Sequence, residues 1–480
     1  MSFTCFYAVG CGDNEIVVTP NAPVTGGETG SGETGETGEQ EIVNPSDMLR
    51  NFSADVMPIT LYLGPNDSYT GDGYNLPSLI TDKTYQDLAS CGVNVIKEKY
   101  NHYGSNPQKT YQMLETAGRH GIHYFMLADN IANWPSADPQ YATVGTVEQF
   151  KTVLTDLTKY DNFLGFYFRD EPPATIFESI KSAIANFNKA VEELNMQDEH
   201  LNFYLNAFPR FGDQSGYGSV MESWEAYLTS FNDMGANYLS WDMYPINSTI
   251  PGKVYGGWLN DLDIVRDLTT GWDKPWWGTA QCGGLRPAFS SDNRVVNEAE
   301  LNWDVNTMLV FGAKGICYYT GVCPPEPGFM AVEGDAINHN SLLTKYGTKT
   351  PMYYYAQKIN KQIAAIDHVL MNATHKGVIF NGETVLCASD YNRDDKLASY
   401  GVLKSVSGDD ALVGCFDYNG GNAYLVMNNS ITDHRGEITL NFSKEGEFEV
   451  IQRAISANVT AKTFTLHLEA GECALVVPNL

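Results

Sequence analysis

The densest chemistry in this chain is Arg169-Asp170-Glu171, three charged residues that follow the apolar run 163–168 and precede Pro172-Pro173. Charges set directly after a buried strand cost free energy unless they pair or have work to do. Two adjacent carboxyls can divide a task. The one beside apolar walls keeps its proton and serves as an acid, while the other stays ionised. The plainer alternative is that both merely pair with Arg169 and cap the next helix. Other polar residues end similar apolar runs: Asn206, Asp242 within Trp241-Asp242-Met243-Tyr244-Pro245, Gln281, and Tyr319 after Tyr318. Asp242 is a further candidate base or nucleophile, with turn formation ahead of Tyr-Pro as its ordinary alternative. Asn206 and Gln281 suit hydrogen bonding to hydroxyls. Lys97 and Glu98 either reach the same place or form an internal ion pair.

What must position these residues is an alternation of strand and helix that begins near Asn51. Strands are expected at 56–64, 94–100, 122–129, 162–168, 201–207, 238–243, 275–281 and 315–319. Helices are expected at 78–91, 107–120, 146–159, 175–194, 221–234, 258–269, 298–311 and 352–370, the first opened by a Ser78 cap and the third by Thr146. Eight such units in series predict an α/β fold, a (β/α)8 TIM barrel, with strands apolar on both faces. A doubly wound open sheet would more often carry a Gly-rich phosphate loop after its first strand, and the loop here is Gly-Pro-Asn-Asp-Ser-Tyr. In a barrel the reactive groups collect at the C-terminal ends of the strands, where Asp170, Glu171, Asn206, Asp242, Gln281 and Tyr319 all fall. Beyond 374, short alternating runs at 423–427, 448–452, 463–468 and 473–477 are separated by turns such as Asn419-Gly420-Gly421. They predict a C-terminal all-β sandwich domain.

Asp170-Glu171-Pro172 after the fourth strand resembles the acid/base motif of the clan A glycoside hydrolase barrels and their relatives. Asp242-Met243-Tyr244-Pro245, the run 312–316, and the run 349–354 followed by Asn360 are similar to the same group. The resemblance covers the barrel and the trailing domain from about residue 55, and the order of the motifs is more specific than any one of them. It implies hydrolysis of glycosidic bonds in an oligo- or polysaccharide, with Glu171 as general acid and no cofactor. Such cleavage needs a proton for the departing oxygen and a carboxylate to meet the oxocarbenium-like centre. Retaining members of the clan place a nucleophilic Glu at the end of strand seven, where this chain has Gln281, and an amide cannot attack. Three alternatives follow. Asp242 acts as base or nucleophile. Or Asp170 orients a substrate N-acetamido group, as in the β-N-acetylhexosaminidases that this Asp-Glu pair resembles. Or a loop acid, Glu326 or Glu333, enters the site. Gln281 also motivates a rival reading, a cell-surface glycan-binding protein without catalysis. Aromatic faces stack on the C–H faces of sugars. Trp134, in the loop after strand three, is the best-placed platform, and Trp241, Tyr244, Trp277 and Tyr319 are further candidates.

Composition narrows the partners. The 480 residues carry a net charge of −28, which repels nucleic acid and anionic lipid. Nine cysteines show no zinc-type spacing, and Cys317 and Cys323 read as buried thiols. No HExxH helix, Gly-x-Ser-x-Gly elbow or phosphate loop occurs, so neither a metal nor a nucleotide is implied. No run of about 18 apolar residues is present. Ala8-Val9-Gly10-Cys11 resembles a bacterial lipobox, although the segment before it lacks a basic region. Cys11 would then be lipidated and anchor the protein to a membrane from outside the cell. The expected order is a signal remnant over 1–12, an acidic low-complexity tether over 13–50, the barrel over 51–373 and the β-domain over 374–480.

Overall fold

The computed structural model describes residues 18–20, 49–71, 74–210, 222–246, 252–282, 295–323, 341–382, 396–432 and 434–479. Cys11, most of the tether, and the loop acids Glu326 and Glu333 lie outside the described residues.

All eight strand–helix units are present. The strands are β1 (Ile59–Tyr62), β2 (Val95–His102), β3 (His123–Leu127), β4 (Phe163–Asp170), β5 (Asn202–Asn206), β6 (Leu239–Asp242), β7 (Trp276–Gln281) and β8 (Gly315–Tyr319). The helices that follow them are α1 (Asp82–Ser90), α2 (Pro107–Gly118), α3 (Val147–Leu157), α4 (Phe177–Glu193), α5 (Trp224–Asn232), α6 (Trp258–Gly271), α7 (Glu298–Val310) and α8 (Pro351–Leu370). The cap of α1 is Thr81, whose hydroxyl accepts from the Thr84 amide, and not Ser78. Thr146 caps α3 in a full capping box with Gln149.

The strands form one parallel sheet in the order β5-β4-β3-β2-β1-β8-β7-β6. Its two ends meet where the Ala207 amide donates to the Ser240 carbonyl at 2.7 Å, beside a parallel Ala207–Trp241 bridge. The sheet thereby closes as a (β/α)8 barrel. Side chains alternate along each strand, and the inward ones grow more polar toward the C-terminal end. Val95, Phe125, Leu164, Tyr238 and Trp277 fill the base, with Leu49 against them. Leu49 and Arg50, assigned to the tether by the sequence, already belong to the barrel: Leu49 packs at its base and Arg50 donates to the Tyr160 and Thr158 carbonyls.

The C-terminal strands are β9 (Thr374–Asn381), β10 (Leu403–Gly408), β11 (Ala411–Tyr418), β12 (Gly421–Asn428), β13 (Gly436–Gln452), β14 (Ile455–Leu468) and β15 (Cys473–Asn479). The strands expected as a sandwich are hydrogen-bonded into a single eight-stranded antiparallel sheet. Its remaining strand is Val18–Pro20, which pairs with Phe464–Leu466 although it falls within the expected tether. One face, with Leu412, Phe416, Leu425 and Leu475, joins the core of the barrel's helices. The other face holds its own core around Val413, Tyr424, Phe448 and Phe464. Trp303 and Asn306 of α7 hydrogen-bond to Asn429 and to the Gly471 carbonyl, at 2.7 and 2.8 Å, and fix the sheet to the barrel.

Candidate active site

The site is built on β4, β5 and β6. Gly165 has a φ of +127°, and a Cβ there would stand 1.7 Å from the Asn202 carbonyl oxygen. The β4–β5 register shifts between Tyr204 and Leu205, so that Tyr204 faces Tyr167 while Asn206 faces Asp170. This bulge turns Asp170 into the barrel, where its Oδ2 accepts from the Tyr62 hydroxyl at 2.8 Å. Glu171 follows at a φ of +44°, a left-handed conformation that non-glycine residues rarely hold. Its amide donates to the Asn206 carbonyl at 2.8 Å. The Pro172 carbonyl accepts from the buried Tyr227 hydroxyl at 3.0 Å, which fixes the turn from behind.

Asn206 joins the carboxylates. While its carbonyl holds the Glu171 amide, its side-chain Nδ2 donates to Asp242 Oδ1 at 2.9 Å. Tyr244 donates to Asp242 Oδ2 at 3.1 Å and packs against Tyr319, whose ring lies 5.0 Å away and in turn stacks on Tyr62. Asp170, Glu171, Asn206, Asp242, Tyr244 and Tyr319 thus come together at the barrel mouth, as their positions in the sequence suggest. Burial, then the charges of Asp242 and Asp170, hold the Glu171 carboxyl far above the usual carboxylate range. Burial and the Asp170 charge also raise Asp242, against Lys97 and the hydrogen bonds from Tyr244 and Asn206. Among the described residues the Glu171 side chain accepts no hydrogen bond.

Gln281 ends β7 at 1% exposure, on the same strand face as Trp277 and Thr279. Its amide N–H donates to Asp304 at 2.8 Å, but among the described residues neither polar atom of its side chain has a partner. A buried carboxamide left without partners at a barrel mouth can meet a ligand hydroxyl or an ordered water.

The expected tryptophan platforms are elsewhere. Trp134 is 1% exposed, packs on Phe168, and donates to Ser179 of α4 at 2.8 Å. Trp241 faces away from the barrel interior among Trp224, Trp258 and Trp276. Trp277 faces inward but lies at the base, stacked on Tyr238 at 4.2 Å. All three have covered faces and cannot receive a sugar. Glu98 also leaves the site, since its Oε1 accepts the Lys99 and Asn101 amides and tightens the end of β2.

Sequence reasoning missed Tyr62, Lys99, Tyr204 and Ser240. Lys99 donates to the Tyr62 hydroxyl, and Lys97 to the Tyr204 hydroxyl at 3.2 Å. The period-2 spacing of Lys97 and Lys99 on one strand was the available signal. Among the described residues, no group of three His, Cys, Asp or Glu side chains could hold a metal ion, and no helix is long and apolar enough to cross a membrane.

No family model matches the chain, and no curated protein matches it. Among solved structures it is similar to Gan42B, a GH42 β-galactosidase, with a TM-score of 0.52 at 7% identity over 82% of this chain and 95% of that one. A β-galactosidase from Bacillus circulans sp. alkalophilus gives 0.51 at 6% identity over 88% and 99%. Against a β-galactosidase from the psychrophilic Marinomonas ef1 the TM-score is 0.44 at 10% identity over 71% of this chain, which spans 66% of that protein. At these identities the likeness is one of fold, and the neighbours are barrel glycoside hydrolases.

Proposed function

We propose that the chain is a glycoside hydrolase acting on an oligo- or polysaccharide, with Glu171 as proton donor and Asp242 as the partner carboxylate. The observation that carries this reading is the difference between two carboxyls at one barrel mouth. Burial raises both, but among the described residues Glu171 receives no side-chain hydrogen bond, whereas Asp242 accepts from Asn206 and Tyr244. A neutral carboxyl can give its proton to the departing glycosidic oxygen. A fixed carboxylate can stabilise the oxocarbenium-like centre and act there as nucleophile or as base toward water. Gln281, with both polar atoms uncommitted, supplies a hydroxyl contact in place of the clan A nucleophile.

One observation favours a second reading. Asp170 commits a single oxygen, Oδ2, to Tyr62, which leaves Oδ1 to accept from the N–H of a substrate acetamido group. That group would then attack internally, with Glu171 still the acid.

The test is hydrolysis of a panel of aryl glycosides and natural glycans by wild type beside Glu171→Gln. Loss of about a thousandfold on natural glycans is expected. Activity confined to N-acetylated sugars moves the second role to Asp170. A wild type that binds a glycan and cleaves nothing overturns the enzyme reading in favour of a retired site.

A further inference from the structure

The interior of the barrel holds a buried cation that the proposed reaction does not use. Lys97 is 1% exposed, and among the described residues no carboxylate lies within ion-pair distance of it. Its ammonium sits 4.3 Å from the Tyr204 ring centroid and 5.0 Å from that of Tyr62. Those aromatic faces ease the burial of a charge without balancing it. The balance runs through hydrogen bonds. Lys97 Nζ lies 3.2 Å from the Tyr204 hydroxyl, which lies 2.5 Å from Ser240 Oγ. Ser240 Oγ is 2.7 Å from Asn206 Oδ1, and Asn206 Nδ2 is 2.9 Å from Asp242 Oδ1.

The chemistry at the two ends fixes every proton between them. An ammonium only donates and a carboxylate only accepts. Asn206 must therefore turn its Nδ2 to Asp242 and its Oδ1 to Ser240, which donates to it. The Ser240 oxygen is left to accept from Tyr204, and the Tyr204 oxygen to accept from Lys97. All donors point one way, from cation to anion, and each bond polarises the next.

We propose that Lys97 is a positioning residue for Asp242, acting through Tyr204, Ser240 and Asn206 as a one-way chain that holds Asp242 as an oriented carboxylate. The role given to Asp242 rests on the function proposed above, but the chain does not. The fold repeats the device two residues along β2, where Lys99 donates to Tyr62 and Tyr62 to Asp170. No such chain reaches the Glu171 side chain.

Other titratable groups act on Asp242: Asp170 at the end of β4 and Glu171 after it, Tyr204 from β5, Tyr244 beyond its own strand and Tyr227 from α5, while the Cys317 thiol of β8 faces Lys97. The Lys97 charge acts directly to lower Asp242, and Lys99 and Arg169 act on neighbouring Glu171.

The test is titration of the Asp242 carboxyl by carbon-13 NMR in the full chain, its signal assigned by Asp242→Asn. Lys97→Met and Tyr204→Phe are each expected to move the midpoint up by about one pH unit. Ser240→Thr, which keeps the hydroxyl, is expected to leave it in place. If Lys97→Met does not fold, Tyr204→Phe decides alone, since it removes one oxygen and leaves both charges. An unmoved midpoint in the folded variants overturns the proposal. In an active enzyme the acid limb of kcat/KM shifts with the midpoint. Absence of hydrolysis in the wild type would defeat the assignment of the reaction, and the carboxyl titration would still judge the chain.

Discussion

Replacing Asp304 by Asn tests how the end of β7 is held. Asp304 lies on α7 and is fully buried, with Oδ2 accepting the Gln281 amide at 2.8 Å and Oδ1 accepting nothing among the described residues. Burial pushes its carboxyl up to about 8, against about 3.9 in an unfolded chain. The folded state therefore holds this proton more tightly than the unfolded one. The group's contribution to stability is greatest below about pH 4 and is lost as the pH climbs from about 4 to about 8, because only the unfolded chain ionises freely there. Four units at about 1.4 kcal/mol each set a ceiling of about 6 kcal/mol, and relaxation around the buried group reduces it to about 2–3 kcal/mol. Asparagine keeps a carbonyl acceptor for the Gln281 amide and cannot ionise. Thermal melts of both proteins at pH 5 and pH 9 separate this effect from the titration of every other group. Nearly coincident melts are expected at pH 5, and a variant more stable by several degrees at pH 9. Melting curves with the same offset at both pH values would refute the reasoning.

Two further substitutions separate packing from binding. Trp134→Phe removes the bond to Ser179 and part of a buried ring, so it should cost about 1–2 kcal/mol of stability while KM stays unchanged; a raised KM with an unaltered melting temperature would restore Trp134 as a sugar platform. Gly471 has a φ of +70°, and a Cβ there would stand 2.5 Å from the Trp303 amide nitrogen and 2.6 Å from the Ala299 carbonyl oxygen. Gly471→Ala should therefore push the C-terminal sheet off α7 and lower the melting temperature by an amount equivalent to about 2 kcal/mol or more. An unshifted calorimetric transition would show that the sheet does not bear on α7 there.

The eight units were legible because each strand is a short apolar run and most helices open with a side-chain cap, such as Thr146, Ser223, Asn297 or Thr350. Part of the site was legible for the same reason, since polar residues that end buried strands have one place to go. Period-2 alternation also held information that residue type obscured. Trp241 and Asp242 are neighbours on β6, so when one faces the barrel interior the other faces the helices. Trp277 shares its face with Gln281 but precedes it by four residues, about 13 Å deeper at the rise of a strand. Lys97 and Lys99 share a face that excludes Glu98. The bulge on β4 was not legible. Tyr167 and Asp170 both face inward although they are three apart, a spacing that no regular strand allows. The pairing of β-strands beyond 374 was also closed to local pattern, because partners there lie as far apart as Val18 and Leu466.

Depth alone would reverse the roles proposed for the two carboxyls at the mouth. Asp242 is 8% exposed and Glu171 is only half-buried, so burial by itself would keep the proton on Asp242. Burial raises both carboxyls, and the charges of Asp242 and Asp170 add to it at Glu171. What differs is the supply of donors. Asp242 accepts from Asn206 and Tyr244, and the first of these is oriented by a chain that begins at a lysine. The Glu171 carboxyl faces the charges of Asp242 and Asp170, with Lys99 and Arg169 acting against them. Glu171 follows the last residue of β4 in a left-handed backbone, and among the described residues its side chain accepts no hydrogen bond. On the function proposed above, Glu171, which no described donor reaches, is the carboxyl with the proton to give.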